Sequence, residues 1–118
     1  MDILFKSSRL QTLCSDQKRR DQTYGPLQGK LLGRRLDQMR AAANLGEFKQ
    51  VHGRCHPLKS NRKGEWSADL DGPYRLIFEP ARCSSESDHP DVVGDEEFSD
   101  ITTITVVRIL EVGVDTHE

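Results

Sequence analysis

The stretch GEWSADLDGPYRLIFEP, residues 64–80, predicts an antiparallel β-hairpin around which the rest of the chain can be arranged. Residues 65–70 alternate polar and apolar side chains, as a half-buried strand does, and residues 74–79 contain a short apolar run. Residues 71–73, Asp-Gly-Pro, are typical turn residues. The second predicted strand also carries Arg75. The same stretch therefore raises the question of an anionic ligand.

Two helices are predicted before the hairpin. Residues 3–5 form a short apolar run typical of a brief buried strand, and a serine at 7–8 can cap a helix that follows it. Residues 24–26, Tyr-Gly-Pro, end that helix and begin a second one. The second helix is predicted from apolar residues at three- to five-residue steps: Leu27, Leu31, Leu32, Leu36 and Met39. Residues 44–46, Asn-Leu-Gly, predict its stop.

The remaining sequence completes an α+β fold. Residues 101–112 form an apolar run long enough for a central strand. Residues 81–100 are rich in Ser, Asp, Glu and Pro without periodicity, which predicts an acidic flexible loop. We expect a single domain, residues 1–118, with a short N-terminal strand, a two-helix hairpin and then an antiparallel three-stranded meander. The helices are expected on one sheet face, leaving the other face partly free.

Composition limits the class of protein. At 118 residues, with 35% hydrophobic and 31% charged residues, the chain suits one polar domain, and no apolar run is long enough to cross a bilayer. The amino-terminal residues show no export signal, so a cytoplasmic location and no membrane partner are expected.

Charge is unevenly divided along the chain. Residues 1–78 carry 15 Lys and Arg against 8 Asp and Glu, whereas residues 79–118 carry 2 against 11, so the two parts stand at +7 and −9. A basic face for a polyanion is one interpretation. Solvated surface charges that balance across the fold are the alternative.

The cysteines favour reduced thiols over disulfides. Cys14, Cys55 and Cys83 are an odd number at wide spacings. A metal site built from His52, Cys55, His56 and Cys83 is the less favoured hypothesis, because the sequence has no CxxC pair and the spacing matches no closed zinc site. The sequence therefore predicts no metal and no cofactor.

Basic and imidazole side chains near the hairpin suggest metal-free chemistry on RNA. Such a reaction needs a base for the 2′-hydroxyl, an acid for the leaving oxygen, and a fixed cation for the phosphoryl oxygens. His56 and His117 are candidates for the proton transfers, and Arg75 can donate two hydrogen bonds to a phosphate. Three further cations would hold the RNA backbone: Lys59, Arg62 and Lys63.

Each candidate also has a structural interpretation. His56, beside a proline, can be an ordinary surface residue, and His117 lies near the end of the sequence. Arg75 can pair with Asp69 across the hairpin. Residues 62–64 can be a polar loop.

A particular order of residues favours the catalytic interpretation over the structural one. It comprises Arg54, His56, Leu58, Lys59, Lys63, Gly64, Trp66, Ser67, Tyr74, Arg75, Ile77 and Phe78, and the tail Asp115, Thr116 and His117 follows the last predicted strand. In this order the sequence resembles the HigB branch of the RelE/ParE toxins, the plasmid maintenance killer proteins of type II toxin–antitoxin pairs. The resemblance covers most of the chain and is strongest over residues 54–78. Two positions depart from the family pattern, Ser60 for a glycine and Thr116 for a tyrosine.

The resemblance implies a ribosome-dependent mRNA endoribonuclease, or mRNA interferase, silenced by a HigA-like helix-turn-helix antitoxin. Its other partners would be the ribosome and mRNA. The implied catalytic residues are His56, Arg75, Asp115 and His117. The implied RNA-binding residues are Arg54, Lys59, Arg62 and Lys63.

Two other functions remain open at this point. ParE relatives with the same fold inhibit DNA gyrase without a nuclease site, so the fold alone does not decide the activity. An inactive relative that only binds its antitoxin is the third possibility, because Thr116 cannot stack on a base as a tyrosine ring would.

Overall fold

The structure of the protein is a computed structural model that describes residues 1–52, 54–58, 64–81 and 101–114. Within these ranges the chain forms α-helices packed on a mixed β-sheet, so the predicted α+β class is confirmed. The predicted acidic loop lies, except for its first residue, outside the described residues. None of the described helices is long and apolar enough to cross a membrane.

The secondary structure begins with a strand and four helices. The helices are α1 (Ser8–Ser15), α2 (Gln17–Tyr24), α3 (Pro26–Ala41) and α4 (Leu45–His52). The strands are β1 (Asp2–Phe5), β2 (Cys55–Pro57), β3 (Trp66–Asp69), β4 (Tyr74–Pro80) and β5 (Val106–Val114). A short 3-10 helix, Ile101–Thr103, precedes β5.

The sheet contains more than the predicted three-stranded meander. Its strand order is β1-β5-β4-β3-β2, with β1 parallel to β5 and every other neighbouring pair antiparallel. β3 and β4 form the predicted hairpin, whose register pairs Asp69 with Arg75. β2 was not predicted, because a strand of three residues shows no alternation that a sequence pattern can detect.

The first predicted helix is divided in two at Asp16. Ser7 caps α1, since its side-chain oxygen accepts a hydrogen bond from the Leu10 N–H. Asp16 adopts extended backbone angles and accepts from the Lys18 N–H, so it ends α1 and caps α2. Gly25 ends α2 with a φ of 91°, in the region that favours glycine, and Pro26 begins α3 as predicted.

The predicted helix stop at residues 44–46 is the start of another helix. Asn44 Oδ1 accepts from the Glu47 N–H at 2.9 Å, and Glu47 Oε1 accepts from the Ala43 N–H at 2.5 Å. This reciprocal pattern resembles a capping box and initiates α4. Asn is favoured at both kinds of helix end, which is why the sequence pattern was misread.

The core lies between the helices and one face of the sheet. Leu36 of α3, Phe48 of α4 and alternate strand residues such as Leu76, Phe78 and Ile109 belong to one buried apolar cluster. Phe48 meets Phe78 edge to face, with ring centroids 6.4 Å apart. Alternation along the strands therefore directs the intervening residues to the second face.

The second face is not free at its centre. Ser67 and Ile77, which pair with each other across the hairpin, are 0% and 1% exposed. The expected partly free face is therefore covered at the middle of the sheet. Exposed side chains on this face lie instead at the sheet edge formed by β2, at Arg54 and His56.

Candidate functional site

Three of the eight predicted site residues fall within the described ranges: Arg54, His56 and Arg75. The other five lie outside them: Lys59, Arg62, Lys63, Asp115 and His117. Their predicted roles therefore remain predictions.

The two described arginines lie in one row across the sheet. Asp69 pairs with Arg75 of β4, and the Asp69 N–H donates to the carbonyl oxygen of Arg54 at 3.2 Å. Side chains at these facing positions point to the same side of a sheet. Because Ala68 and Leu76 point into the helix-side core, this row faces the other way.

Asp69 forms ion pairs with both arginines. Its Oδ1 lies 3.2 Å from Nε of Arg75, and its Oδ2 lies 3.4 Å from Nε of Arg54. The side chains are 19% exposed for Asp69, 28% for Arg75 and 76% for Arg54. The structural interpretation of Arg75, a partner for Asp69 across the hairpin, is thus confirmed. Two cations share one carboxylate, so the row carries a net charge of about +1.

The Arg75 guanidinium is also fixed by the hairpin turn. Nη1 donates to the carbonyl oxygens of Gly72 at 3.2 Å and Tyr74 at 3.3 Å. These bonds hold the cation at the turn end of β4, near the protein surface. Arg75 is therefore not turned inward beneath the helices.

His56 lies on the same sheet face in the neighbouring row. It pairs with Ser67 of β3, which pairs with Ile77, two residues beyond Arg75. Two strands and two residues of separation put the Cα atoms of His56 and Arg75 about 12 Å apart. The imidazole is exposed, and its Nδ1 lies 3.4 Å from the carbonyl oxygen of Pro57. A phosphodiester could reach both side chains, but the two do not contact each other.

Sequence reasoning missed the residues that support this row. Arg35 of α3 donates from Nε to the carbonyl oxygen of Asp69 at 3.2 Å, and burial together with the nearby charge of Arg34 lowers its pKa. His52 of α4 lies near the same row. Burial and the positive charge of Arg35 lower the pKa of the His52 imidazole, whereas Asp69 acts to raise it. No local sequence spacing links Arg35 to position 69, so the sequence does not predict this contact.

The structure does not support the less favoured hypothesis of a metal site at His52, Cys55, His56 and Cys83. Cys55 belongs to the helix-side core, where burial raises the pKa of its thiol to about 12, whereas His56 points to the opposite face. Cys83 lies outside the described residues. In the part of the chain that the structure describes, no group of three or more His, Cys, Asp or Glu residues is arranged to hold a metal ion.

Comparisons with known proteins show a likeness in structure but none in sequence. No protein family matches the sequence, and no curated protein matches it. Among solved structures, the chain is similar to a YoeB/ParE toxin from Agrobacterium tumefaciens, over 98% of this chain and 99% of that chain. The TM-score is 0.45 and the sequence identity is 12%. A likeness of this size assigns neither a family nor an activity.

The chemistry of the row is that of an anion site. Guanidinium groups donate parallel hydrogen bonds to carboxylate or phosphate oxygens. Here two of them meet at a partly exposed sheet end, and the exposed imidazole of His56 lies on the same face. The arrangement can bind a phosphate, but in the free protein both guanidinium groups are paired with the Asp69 carboxylate.

Proposed function

We propose that this protein is the toxin of a type II toxin–antitoxin pair and that it cleaves mRNA at the ribosome without a metal ion. One observation carries the proposal. Arg54, His56 and Arg75, which stand in the order that resembles the HigB toxins, lie on the sheet face opposite the helix core. A grouping on the core side would have removed its physical basis.

The proposed roles follow from the side chains. Arg75 stabilises charge on the phosphoryl oxygens, His56 takes part in proton transfer, and Arg54 binds the RNA backbone. Five further roles rest on the sequence: Lys59, Arg62 and Lys63 bind RNA, and Asp115 and His117 share the acid and base work. The cognate partner is a HigA-like helix-turn-helix antitoxin, and the site of action is the cytoplasm.

The ion pair between Asp69 and Arg75 favours a second candidate function. A guanidinium already paired at 3.2 Å is less available to a transition state. The protein could then act by binding alone, either as a ParE-like inhibitor of DNA gyrase or as an inactive relative that binds an antitoxin. Phosphoryl-transfer residues would not be needed in either case.

Induced expression in bacteria separates these functions. The nuclease hypothesis predicts growth arrest together with cuts inside translated messages, detected by primer extension. Gyrase inhibition predicts altered plasmid supercoiling with intact messages. An inactive relative would produce neither effect.

Within this experiment, Arg75→Ala is expected to abolish growth arrest and message cutting, because it removes the proposed transition-state cation; loss of such a group typically costs 10²-fold or more in rate. The matched control is Arg40→Ala, which also removes an arginine paired with an aspartate, Asp37, but on α3. Circular dichroism checks that both variants fold. Full toxicity of a folded Arg75→Ala protein would contradict the assignment.

A further inference from the structure

We propose that Arg54 and Arg75 together bind one phosphate group of single-stranded RNA, and that Asp69 occupies this site in the free protein and leaves it when the phosphate binds. The inference rests on the proposed function and names the ligand group and the residue that controls access to it. The first observation is which guanidinium nitrogens of Arg75 are still able to donate to a ligand.

A guanidinium binds phosphate best through two adjacent nitrogens. In Arg75, Nη1 is committed to the carbonyl oxygens of Gly72 and Tyr74. Nε faces Asp69, and Nη2 has no partner among the residues that the structure describes. The edge of the guanidinium that can donate two hydrogen bonds to a ligand is therefore the one formed by Nε and Nη2. A phosphate that binds there must replace the Asp69 carboxylate at Nε.

The shape of the carboxylate bridge matches a phosphodiester. Each Asp69 oxygen faces a different arginine, Oδ1 at 3.2 Å from Arg75 and Oδ2 at 3.4 Å from Arg54. A phosphodiester also presents two charged non-bridging oxygens, so it can bridge the same two cations. Arg54 is mostly exposed, which leaves an approach from solvent.

The exchange needs only a side-chain rotation. The backbone of Asp69 is held at both polar groups, since its N–H donates to Arg54 and its carbonyl oxygen accepts from Arg35. The carboxylate itself has no such anchor besides the two arginines, within the described residues. Oδ1 of Asp69 is buried and accepts no hydrogen bond from the described residues, so the carboxylate gives up an ion-pair contact but no hydrogen bond at Arg75 when it rotates away.

The experiment measures RNA affinity of the full chain with Asp69→Asn. The probe is a fluorescent single-stranded RNA carrying 2′-O-methyl groups, which block attack by the 2′-oxygen and so separate binding from cleavage. We expect the variant to bind about three- to tenfold more tightly than the wild type, the size of effect that loss of partly exposed ion pairs allows. We also expect the plot of log affinity against log salt to steepen by about 0.7, because one more phosphate contact releases counterions from single-stranded RNA.

Asp37→Asn is the matched control. It removes the same charge from an aspartate paired with an arginine, Arg40, at 3.3 Å on the surface of α3. It should leave affinity and salt slope at wild-type values. Adding Arg75→Ala to Asp69→Asn should remove the gain, since the freed donor is then absent.

A second measurement uses the wild-type protein and does not depend on folding of a variant. On addition of the same RNA, the NMR signal of the Arg75 Nε–H should shift, because its ion-pair contact with the Asp69 carboxylate is replaced by a hydrogen bond to phosphate. The Nε–H of Arg20, which donates to the carbonyl oxygen of Gly29 at 3.2 Å, serves as the internal reference.

Unchanged or weaker binding by Asp69→Asn, or an Arg75 signal that does not move while RNA binds, would overturn the inference and make Asp69 a residue that only positions Arg75. Failure of the proposed function is seen separately, as a wild-type protein that neither arrests growth nor cuts messages.

Discussion

His52 lies at the end of α4 with its ring centroid 5.8 Å from that of Phe48. Its Nε2 is buried, and within the described residues it has no hydrogen-bond partner. Burial lowers the pKa of the imidazole from its ordinary value of 6.5, and the nearby Arg35 adds to this effect. The folded protein therefore holds His52 in its neutral form.

This shift predicts a loss of stability in mild acid. The unfolded chain binds the proton more readily than the folded chain, so the contribution is fully present above pH 6.5 and is lost as pH falls through the lower folded-state pKa. We expect the urea midpoint to drop between about pH 7.5 and about pH 5.5, and His52→Phe to reduce that drop. His56→Gln, which removes an exposed imidazole, is the control. An equal drop in the His52→Phe and wild-type proteins would contradict this expectation.

At the scale of elements, α2 and α3 approach closely where α3 has glycines. A Cβ on Gly29 would lie 2.8 Å from the backbone N of Asp21 and 2.9 Å from the backbone carbon of Arg20, and would also overlap Asp21 Oδ1. A Cβ on Gly33 would meet the end of the Arg20 side chain, with Nη2 at 2.8 Å. Backbone atoms cannot move aside without separating the helices, whereas a side chain can shift.

Gly29→Ala is therefore expected to destabilise the protein by about 1–3 kcal/mol, the usual cost of overpacking. Gly33→Ala should cost less, because displacing the Arg20 guanidinium is partly offset by the better helix propensity of alanine. Urea unfolding of both variants measures the difference. Equal stabilities would show that α2 is free to move away from α3.

Secondary-structure boundaries could be predicted from the sequence where a few neighbouring residues determine them. The turn at residues 71–73, the cap at Ser7 and the Tyr24–Pro26 connection each depend on nearby residues, and each is confirmed. The division at Asp16 and the start of α4 at Asn44 were missed, because Asp and Asn suit several positions near helix ends.

The candidate site was predictable only in part, for a related reason. Arg54, His56 and Arg75 share a face because strand alternation is local, whereas Arg35 reaches Asp69 from a helix 34 positions away in sequence. The ion pair between Asp69 and Arg75 is predictable from the sequence, since it follows from the hairpin register. Whether Arg75 pairs with Asp69 or with a phosphate ligand depends on the relative free energies of the two interactions, which a sequence pattern does not give.

At the scale of the whole molecule, stability depends on one core. Phe78 is fully buried and contacts Phe48 across the boundary between sheet and helices. Phe78→Ala should cost about 3–5 kcal/mol, a large part of the 5–15 kcal/mol typical of a domain. Leu27→Ala, at a position 55% exposed, should change stability by less than about 1 kcal/mol. Thermal unfolding of the two variants compares them, and similar melting temperatures would be inconsistent with a single core.

The position of β5 also determines when this protein can fold. β5 is the last of the described strands in chain order, yet it lies between β1 and β4, pairing Asp2 with Val106 and Tyr74 with Val114. Until residues 106–114 leave the ribosomal exit tunnel, a nascent chain has unpaired backbone on two strands and no Ile109 to close the core. The sheet can therefore close only after residues 106–114 have been synthesised and released, and a chain truncated before Val106 would leave β1 and β4 without their shared partner.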